Sequence, residues 1–412
     1  MNSLTRKTAV IKDFAVSMLC IILSFFIKRR ENYLAFGSWC GDLYNDNSKY
    51  LAEYIAGNYP EFHIIWVGKR IIRDVIPAGY SFVELNSMSS VFTLLKCKKF
   101  FFTQMHRPDI CRYNVYRGAD LCLLDHGNTL KKWAMDAAGY HGELEYKNFS
   151  AIKKIYTSVV GENHPYRFIT VSSRKTGNAY RSALAYRMDH TTEILETGLP
   201  RNDILLKKSR QDFALEKAKY AELLGFDPDK KVVLYLPTYR RKTEQIESFA
   251  NRDRTETERL NQLLEQANAV LLEKNHFAAD QYMVNKVGSD MPAIVKVSVP
   301  VDVQEMLEFA DILISDYSGC ILDYLLLDRP IVYYVYDYQD YRDTDSGLYY
   351  DITEYAAGPV AYSFDDVYDA LKSSLIDGTD DYVRERESVR KDLTTYDDGH
   401  SCERVCKAVL NQ

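Results

Sequence analysis

The sequence predicts an α/β protein with two doubly wound halves, each built on a parallel sheet covered by helices on both faces. The chain has 412 residues, which is beyond the size at which one hydrophobic core usually stops growing. Short apolar runs alternate with helical patterns, as is typical of parallel sheets. The alternation reaches a junction at residues 198–200 and then restarts. We therefore expect two domains of the same architecture in series.

Composition and charge narrow the class of protein. Apolar residues make up 46% and charged residues 27% of the chain, as in ordinary folded proteins. The net charge of −6 argues against a nucleic-acid binder held by a general basic field, but it permits a local basic pocket for a phosphorylated ligand. The eight cysteines form no CxxC pair, so we expect small buried hydrophobic residues in a reduced compartment. No metal site is predicted, because no acidic cluster at the strand ends resembles a two-metal site.

The N-terminal region contains an apolar run at residues 14–27, with Lys12 before it and three basic residues, 28–30, after it. As a helix this run would rise about 21 Å, short of the roughly 30 Å hydrocarbon core of a bilayer. The basic residues lie on the wrong side for a signal peptide. We expect a helix that dips into the cytoplasmic leaflet, with the basic residues on anionic headgroups. The alternative is a helix that packs on the protein's own core.

The first half is predicted to contain seven strands and a clear early helix. The helix, in DNSKYLAEYIAGNYP, has a polar start, helical spacing of Leu51, Tyr54 and Ile55, and a Gly-Asn-Tyr-Pro stop. The strands are short apolar runs between polar segments. They lie at residues 33–38, 63–68, 81–85, 98–103, 119–127, 167–173 and 193–198.

The second half repeats the pattern with longer helical segments. Helices are predicted at residues 256–268, 303–310 and 320–327. Strands are predicted at residues 231–240, 269–276, 311–319 and 330–337.

Polar residues collect directly after these strands. In open α/β sheets, ligands bind outside the carboxyl ends of the strands, so these residues are the candidate site. They are Gly37, Ser38, His126, Gly127, Thr238, Tyr239, Arg240, Lys274, Asn275, His276, Asp316, Tyr317, Ser318 and Gly319.

The turn at Ser318 and Gly319 precedes a predicted helix that contains Asp323 in its first turns. Helix N-terminal N–H groups and a small hydroxyl residue suit an anion, and a plain helix cap is the alternative. With Arg240 and His276, this turn would suit a pyrophosphate. The sequence has neither GxxxxGK nor GxGxxG, so ATP hydrolysis and dinucleotide chemistry are poorly supported.

His126 is the sole imidazole at a strand end in the first half. An imidazole titrates near neutrality and can take a proton from a hydroxyl group, so His126 is the candidate general base. The plain alternative is a surface histidine in a turn. Because side chains alternate along a strand, we expect Asp125 to point to the opposite face and not to orient His126.

Several segments together resemble a known family, the CDP-glycerol glycerophosphotransferases of teichoic-acid and related capsule synthesis. The resemblance runs from about residue 33 to 410. It rests on the segments FGSWCGDLYNDNSKYL, LLDHGNTLKKWAMD, GLPRNDILL, LYLPTYR, LISDYSGCILDYLLLDRPIVYYVYDYQDYRDTDSGLYYD and DDGHSCERV. It implies a GT-B-like fold, with two Rossmann-type domains facing across a cleft. It also implies transfer of a polyol phosphate from a CDP-activated donor to an acceptor hydroxyl, with release of CMP and without a cofactor.

The resemblance assigns roles to individual residues. The HG-x-x-LK motif of the family places the base on His126, and the donor's phosphate-binding residues fall on His276 and Ser318, so His126 and His276 are the predicted catalytic pair. The remaining predicted substrate-binding residues are Gly127, Lys131, Arg240, Lys274, Asp316, Gly319 and Asp323. The chain departs from the family pattern where it has Asn128-Thr129 in place of Thr-Pro, Phe277 in place of proline, and Gly319 in place of the second serine of DYSS.

The predicted organisation is a membrane-associating helix at 1–30, an acceptor-side domain at 31–197 and a CDP-donor-binding domain at 198–412. Glycerol phosphate is the favoured group to be transferred, and the acceptor is a teichoic-acid-like or capsular polymer or its lipid-linked precursor. The expected location is the cytoplasmic face of the membrane, without nucleic-acid partners and with homo-oligomerisation left open. The alternatives are a GT-B glycosyltransferase that uses a nucleotide sugar, and an inactive membrane-attached scaffold of polymer assembly.

Overall fold

The computed structural model describes residues 3–128, 130–137, 149–238, 246–275, 291–299, 301–344 and 347–410. These residues form two compact units. The first unit takes its described residues from Met1–His126, Ala134–Asp203 and Tyr396–Gln412, and the second takes them from Gly127–Trp133 and Ile204–Thr395.

The first unit is built on a seven-stranded parallel sheet. Its strands are β1 Arg30–Phe36, β2 His63–Gly68, β3 Ser81–Glu84, β4 Cys97–Phe102, β5 Asp120–Leu123, β6 Phe168–Val171 and β7 Glu193–Glu196. They are ordered β3-β2-β1-β4-β5-β6-β7, and every pair is parallel. Its described α-helices are Ser3–Leu23, Asp46–Asn58, Met88–Leu94, His106–Asp109, Ala151–Val159, Arg174–Ala183 and Ser401–Val409, and Asp203–Lys207 continues into the second unit. Short 3₁₀ helices occur at Trp39–Gly41, Arg70–Val75, Ala134–Asp136, Ala185–Arg187 and Pro200–Asn202.

The second unit is built on a six-stranded parallel sheet. Its strands are β8 Lys231–Leu236, β9 Ala269–Glu273, β10 Ile294–Lys296, β11 Ile312–Ser315, β12 Ile331–Tyr334 and β13 Val360–Ala361. Their order is β10-β9-β8-β11-β12-β13. The described α-helices are Arg210–Leu224, Arg254–Gln266, Val303–Phe309, Cys320–Tyr324, Tyr338–Thr344, Ile352–Tyr355, Phe364–Lys372 and Val383–Leu393. The 3₁₀ helices Phe249–Asn251 and Leu325–Leu327 and the π-helix Ser373–Asp377 complete it.

The predicted fold class is confirmed, because both sheets are parallel and the eleven predicted strands all form. Strands β6, β9, β11 and β12 are buried along their whole length, as expected of strands covered on both faces. The sequence did not predict β10 and β13. These two edge strands have three and two residues, too few to produce a readable apolar run.

The C-terminal segment packs with the first unit. The first N–H groups of the helix Ser401–Val409 donate to the buried carboxylate of Asp203, at 2.8 Å from Ser401 and 2.9 Å from Cys402. Asp397 accepts the N–H of Leu199 at 2.7 Å. A carboxylate at a helix N-terminus satisfies N–H groups that otherwise lack partners. These bonds hold the end of the chain against the segment that follows β7, and the domain boundaries at 31–197 and 198–412 stay a prediction.

The N-terminal helix Ser3–Leu23 has one buried and one exposed face. Asp13, Ser17 and Cys20 are buried, and Asp13 pairs with Arg112 at 2.8 Å. Ile11 on the other face is 68% exposed. In the part of the chain that the structure describes, this helix and all others are too short or too polar to cross a membrane.

The role predicted for Arg29 on lipid headgroups is wrong. Its guanidinium turns inward and donates to backbone carbonyls, among them Val115 at 2.6 Å and Arg117 at 2.8 Å. Burial lowers the pKa of Arg29 to about 10. The side chain therefore fixes the start of β1 to the loop before β5, because several carbonyl oxygens together can replace the water around a guanidinium group.

The cysteines are free thiols, and seven of the eight are buried, which confirms their prediction as small buried hydrophobic residues. Only Cys40 is partly exposed. Burial raises the pKa of the Cys97 thiol to about 12, so this group is protonated and unreactive at neutral pH.

Glu308 gives the second unit a pH-dependent stability. Its side chain is fully buried and contacts Lys208 at 2.9 Å. Burial outweighs this contact and raises the pKa of Glu308 to about 7, from an ordinary value of 4.5. A carboxyl group whose pKa is raised in the folded state stabilises the fold fully at pH values below its ordinary pKa. This stabilisation is lost as the pH rises through the pKa of the folded state.

We therefore expect the unfolding free energy of the wild type, relative to Glu308→Gln, to fall by about 3 kcal/mol between pH 4.5 and pH 8. Urea titrations of both proteins at several pH values measure this difference. Glu258→Gln, at a half-exposed position, is the control and should show a constant difference. A constant difference for Glu308→Gln as well would contradict the expectation.

Candidate active site

His126 lies three residues beyond Leu123, the last residue of β5, and its side chain is 43% exposed. The edge of the Trp39 indole faces the imidazole, with 5.7 Å between ring centroids. Trp39 belongs to the turn that follows β1. The sheet order β1-β4-β5 brings this turn to the same end of the sheet as His126, as expected of the carboxyl ends of parallel strands.

Asp125 does orient His126, so the expectation that it points away is wrong. Its Oδ1 lies 2.7 Å from Nδ1 of His126 and also accepts the His126 backbone N–H at 2.8 Å. The side-chain alternation of a strand requires extended backbone, but Asp125 has a φ of +57°. The carboxylate is 3% exposed. Nδ1 also lies 3.3 Å from the Thr103 carbonyl oxygen. These two acceptors favour the tautomer with the proton on Nδ1 and leave Nε2 as the basic nitrogen.

The backbone around His126 is held by the polar side chains of Arg201 and Asn47. Arg201 Nη1 donates to the His126 carbonyl at 2.7 Å and to Asp46 Oδ1 at 3.0 Å. Asn47 Nδ2 donates to the Asp125 carbonyl at 2.8 Å. The two Arg201 bonds have a charged donor and are stronger than the neutral bond from Asn47. They fix the position of the imidazole relative to the end of β5.

Left-handed backbone is concentrated around the imidazole. Trp39, Cys40, Asp46 and Asp125 have φ values of +45°, +54°, +63° and +57°, a region that non-glycine residues rarely adopt. Such residues cost about 1–3 kcal/mol each and cluster at active sites and ligand clamps. Their location next to His126 supports this end of the sheet as a functional site.

A second buried carboxylate stabilises the turns beside His126. Asp109 is fully buried and accepts backbone N–H groups of Cys40, Thr103 and Gln104 at 2.8–3.0 Å. Burial raises the pKa of Asp109, while these bonds and the charge of His126 oppose the rise. Sequence reasoning missed Asp46, Asp109 and Arg201, since none directly follows a predicted strand. Asp46 and Arg201 do lie in segments that carry the family resemblance.

In the second unit, the neighbouring strands β8 and β11 bring Thr238 and Asp316 together. Asp316 is buried, and its Oδ1 accepts the N–H of Thr238 at 2.9 Å and that of Tyr317 at 2.7 Å. Ser315 Oγ donates to the Leu236 carbonyl at 2.5 Å. Asp316 therefore fixes the two turns by accepting their N–H groups.

The turn after β11 contains Ser318 and Gly319 and leads into the helix Cys320–Tyr324. Ser318 Oγ accepts the Cys320 N–H at 3.4 Å, while the residue at the N-cap position is Gly319, which has no side chain to cap the helix. The helix has five residues and continues as the 3₁₀ helix Leu325–Leu327, so its dipole is weaker than that of a long helix. Asp323 is fully buried inside the unit.

The other predicted residues of the second unit are placed as follows. Lys274 is 7% exposed at the end of β9, and its N–H donates to the Tyr235 carbonyl at 3.0 Å. Lys131 forms an isolated antiparallel bridge with Leu348. Gly127 has a φ of +133°, which favours glycine. Arg240 and His276 lie outside the described residues.

A family model matches residues 20–411, and its description is CDP-Glycerol:Poly(glycerophosphate) glycerophosphotransferase. The chain belongs to this glycerophosphotransferase family. It is thus a transferase of polyol phosphate from a CDP-polyol donor, of the kind found in teichoic-acid synthesis.

Two curated relatives match over most of the length of this chain. A teichoic acid glycerol-phosphate transferase of Staphylococcus aureus is 26% identical over 391 residues, which are 92% of this chain and 93% of the relative. A teichoic acid poly(glycerol phosphate) polymerase of Bacillus spizizenii is 26% identical over 363 residues, 84% of each chain.

Solved structures confirm the GT-B-like fold of this chain. The wall teichoic acid polymerase TagF superposes with a TM-score of 0.74 at 22% identity and covers 98% of both chains. A TagF variant soaked with CDPG has a TM-score of 0.76 at 21% identity. UDP-GlcNAc 2-epimerase from Neisseria meningitidis has a TM-score of 0.52 at 13% identity. At these identities, the likeness concerns the fold alone.

Each unit carries its own kind of chemistry at the carboxyl ends of its strands. In the first unit, Asp125 and His126 form a carboxylate–imidazole pair that can accept a proton. In the second unit, the turns after β8 and β11 are held by Asp316. Among the described residues, no three His, Cys, Asp or Glu side chains are grouped so that they could hold a metal ion.

Proposed function

We propose that the protein transfers glycerol phosphate from CDP-glycerol to a hydroxyl group of a teichoic-acid-like or capsular polymer, or of its lipid-linked precursor. The named glycerol-phosphate relatives support this choice of polyol. The first three match over 84–92% of this chain. Two Staphylococcus aureus ribitol-phosphate polymerases are 30% and 31% identical but match over 59% and 52% of it. A poly(ribitol-phosphate) polymerase of Bacillus spizizenii matches over 79% of it at 26% identity. The three longest of these matches are to glycerol-phosphate relatives, which favours glycerol.

The Asp125–His126 pair is the observation that carries the mechanism. His126 Nε2 takes the proton of the acceptor hydroxyl, and the resulting oxygen attacks the polyol-bearing β-phosphorus of the donor. The bond between this phosphorus and the bridging oxygen breaks, and CMP leaves with the electron pair. Asp125, at 2.7 Å from Nδ1, stabilises the imidazolium that forms. A positioned base contributes a factor of about 10²–10⁴ to the rate.

The donor is assigned to the strand ends of the second unit. Positive and hydroxyl side chains suit the charge that develops on the departing CMP, and each preorganised donor is worth roughly 3–4 kcal/mol. Lys274 and Ser318 lie at the ends of β9 and β11, while Arg240 and His276 are assigned on the family pattern. Asp316 accepts the N–H groups of Thr238 and Tyr317 and so holds the turn that carries Ser318.

A peripheral location at the cytoplasmic membrane surface suits a lipid-linked acceptor. The helix Ser3–Leu23 keeps Asp13, Ser17 and Cys20 inside the first unit. Its outer face carries exposed apolar residues, and the exposed Phe25 and Phe26 follow it. An amphipathic helix with apolar side chains on its outer face can lie in the headgroup region.

Product analysis tests the proposed reaction. The enzyme is mixed with CDP-glycerol or CDP-ribitol and a lipid-linked acceptor, and the products are identified by mass spectrometry. We expect CMP and an acceptor heavier by glycerol phosphate units. Release of a nucleoside diphosphate from a nucleotide sugar would indicate a glycosyltransferase instead. Turnover of CDP-ribitol alone would contradict the choice of glycerol, and an absence of any product would indicate a scaffold.

A further inference from the structure

Gly319 is in close contact with the chain that follows His126. A Cβ atom added to Gly319 would lie 2.0 Å from the Asn128 carbonyl oxygen and 3.2 Å from its carbonyl carbon. Real Cβ atoms do not approach backbone oxygens this closely. The φ of Gly319 is −62°, which any residue adopts. Glycine is therefore required here for space, and not for its backbone conformation.

The segment after His126 packs within the second unit. This segment, Gly127–Trp133 without the undescribed residue 129, is called the tether below. Leu130 is 7% exposed in the apolar core of the unit. The Lys132 N–H donates to the Gly347 carbonyl at 2.9 Å, and the Leu130 carbonyl accepts the Tyr349 N–H at 2.8 Å. The tether is thus fixed at both ends, by Gly319 and by residues 347–349.

The turn that carries Gly319 is itself rigid. Asp316 accepts two N–H bonds at its start. Tyr317 is fully buried, stacks on Tyr341 with 3.9 Å between ring centroids, and donates to Asp337 at 3.1 Å. A side chain added at Gly319 would therefore displace the tether more readily than the turn.

We propose that the Gly319–Asn128 contact positions the general base, so that the donor turn and His126 are mechanically coupled through the tether. Gly319 and Asn128 are positioning residues, and the coupling rests on the proposed function of His126 and of the turn. The absence of a side chain at Gly319 makes room for the peptide of residue 128. His126 precedes Asn128 by two residues, so a displacement of the tether reaches the imidazole.

The variants Gly319→Ala and Gly319→Ser test the coupling. We expect kcat for CMP release to fall by about 10²-fold, since a misplacement of about 1 Å costs that much. The Kd of CDP should stay within about threefold, because the turn keeps its bonds. Gly358→Ala is the matched control: its Cβ would lie 1.8 Å from the Ile331 carbonyl oxygen. It should lower the melting temperature yet keep the kcat of the folded fraction.

Wild-type kcat in both Gly319 variants would overturn the coupling. Loss of kcat in Gly358→Ala to the same extent would also overturn it, since the effect would then be general destabilisation. The proposed function is judged separately by His126→Ala. If that variant is inactive while the Gly319 variants are normal, the coupling fails and the proposed function stands.

Hydrogen exchange of the wild-type protein gives a test that needs no variant. With saturating CDP, we expect slower hydrogen exchange at residues 316–319. We also expect slower exchange at the Lys132 amide of the tether, which donates to the Gly347 carbonyl. Protection of the turn with unchanged exchange at Lys132 would overturn the coupling. Protection of neither would overturn the donor site and the coupling together.

Discussion

His126→Ala is expected to lower the rate of CMP release from CDP-glycerol by about 10²–10⁴-fold, because the acceptor hydroxyl loses its base. The Kd of CDP should change little, since the residues assigned to the donor belong to the second unit and His126 to the first. Steady-state turnover with a lipid-linked acceptor gives kcat, and calorimetry gives the affinity for CDP.

The control for this experiment is His190→Ala, an exposed histidine before β7. It should retain wild-type turnover and the same melting temperature as His126→Ala. Near-normal turnover in His126→Ala would remove His126 from the mechanism. An equal loss of activity and of CDP binding would instead indicate that the substitution disturbs the fold.

Asp125→Asn is expected to have the second-largest effect, a fall in kcat of about 10²–10⁴-fold. The Thr103 carbonyl, 3.3 Å from Nδ1, remains an acceptor for the Nδ1 proton, so the tautomer persists. The negative charge at 2.7 Å from Nδ1 is lost, however, and the imidazolium formed during transfer is no longer stabilised. For the same reason, the acid limb of the kcat/KM profile should move to lower pH.

The pH dependence of kcat/KM in both proteins measures this shift. Asp120→Asn is the matched control, because Asp120 lies at the other end of β5 and pairs with Lys99 at 3.1 Å. It should change stability without moving the acid limb. A profile of Asp125→Asn that superimposes on the wild type would show that Asp125 has no electrostatic role in the reaction.

The strands could be predicted from the sequence because each one is a contiguous run of apolar residues. Strands β6 and β9, for example, are buried along their whole length. A parallel strand that is covered on both faces consists almost wholly of apolar residues. The position of His126 after β5 was predicted for the same reason, since the apolar run ends there. Edge strands of two or three residues, such as β13, carry too little pattern to be recognised.

The supporting residues of the site could not be predicted, because their roles depend on distant segments. Asp109 accepts N–H groups of two different turns, and Arg201 donates to His126, 75 residues away. A buried carboxylate and a surface carboxylate look alike in a sequence. The inward orientation of the Arg29 side chain was missed for the same reason, because its partners are backbone carbonyls of distant residues.

The sequence by itself determined the two parallel α/β halves, the family and the candidate base, because apolar periodicity and motif residues are properties of contiguous chain. Only the tertiary structure shows which carboxylate lies next to that base and why residue 319 is a glycine. The left-handed φ of Asp125, +57°, reverses the direction that strand alternation assigns to its carboxylate. The approach of the Asn128 carbonyl leaves room only for glycine at 319. Both facts depend on how distant segments pack and on local backbone geometry, which residue type alone does not specify.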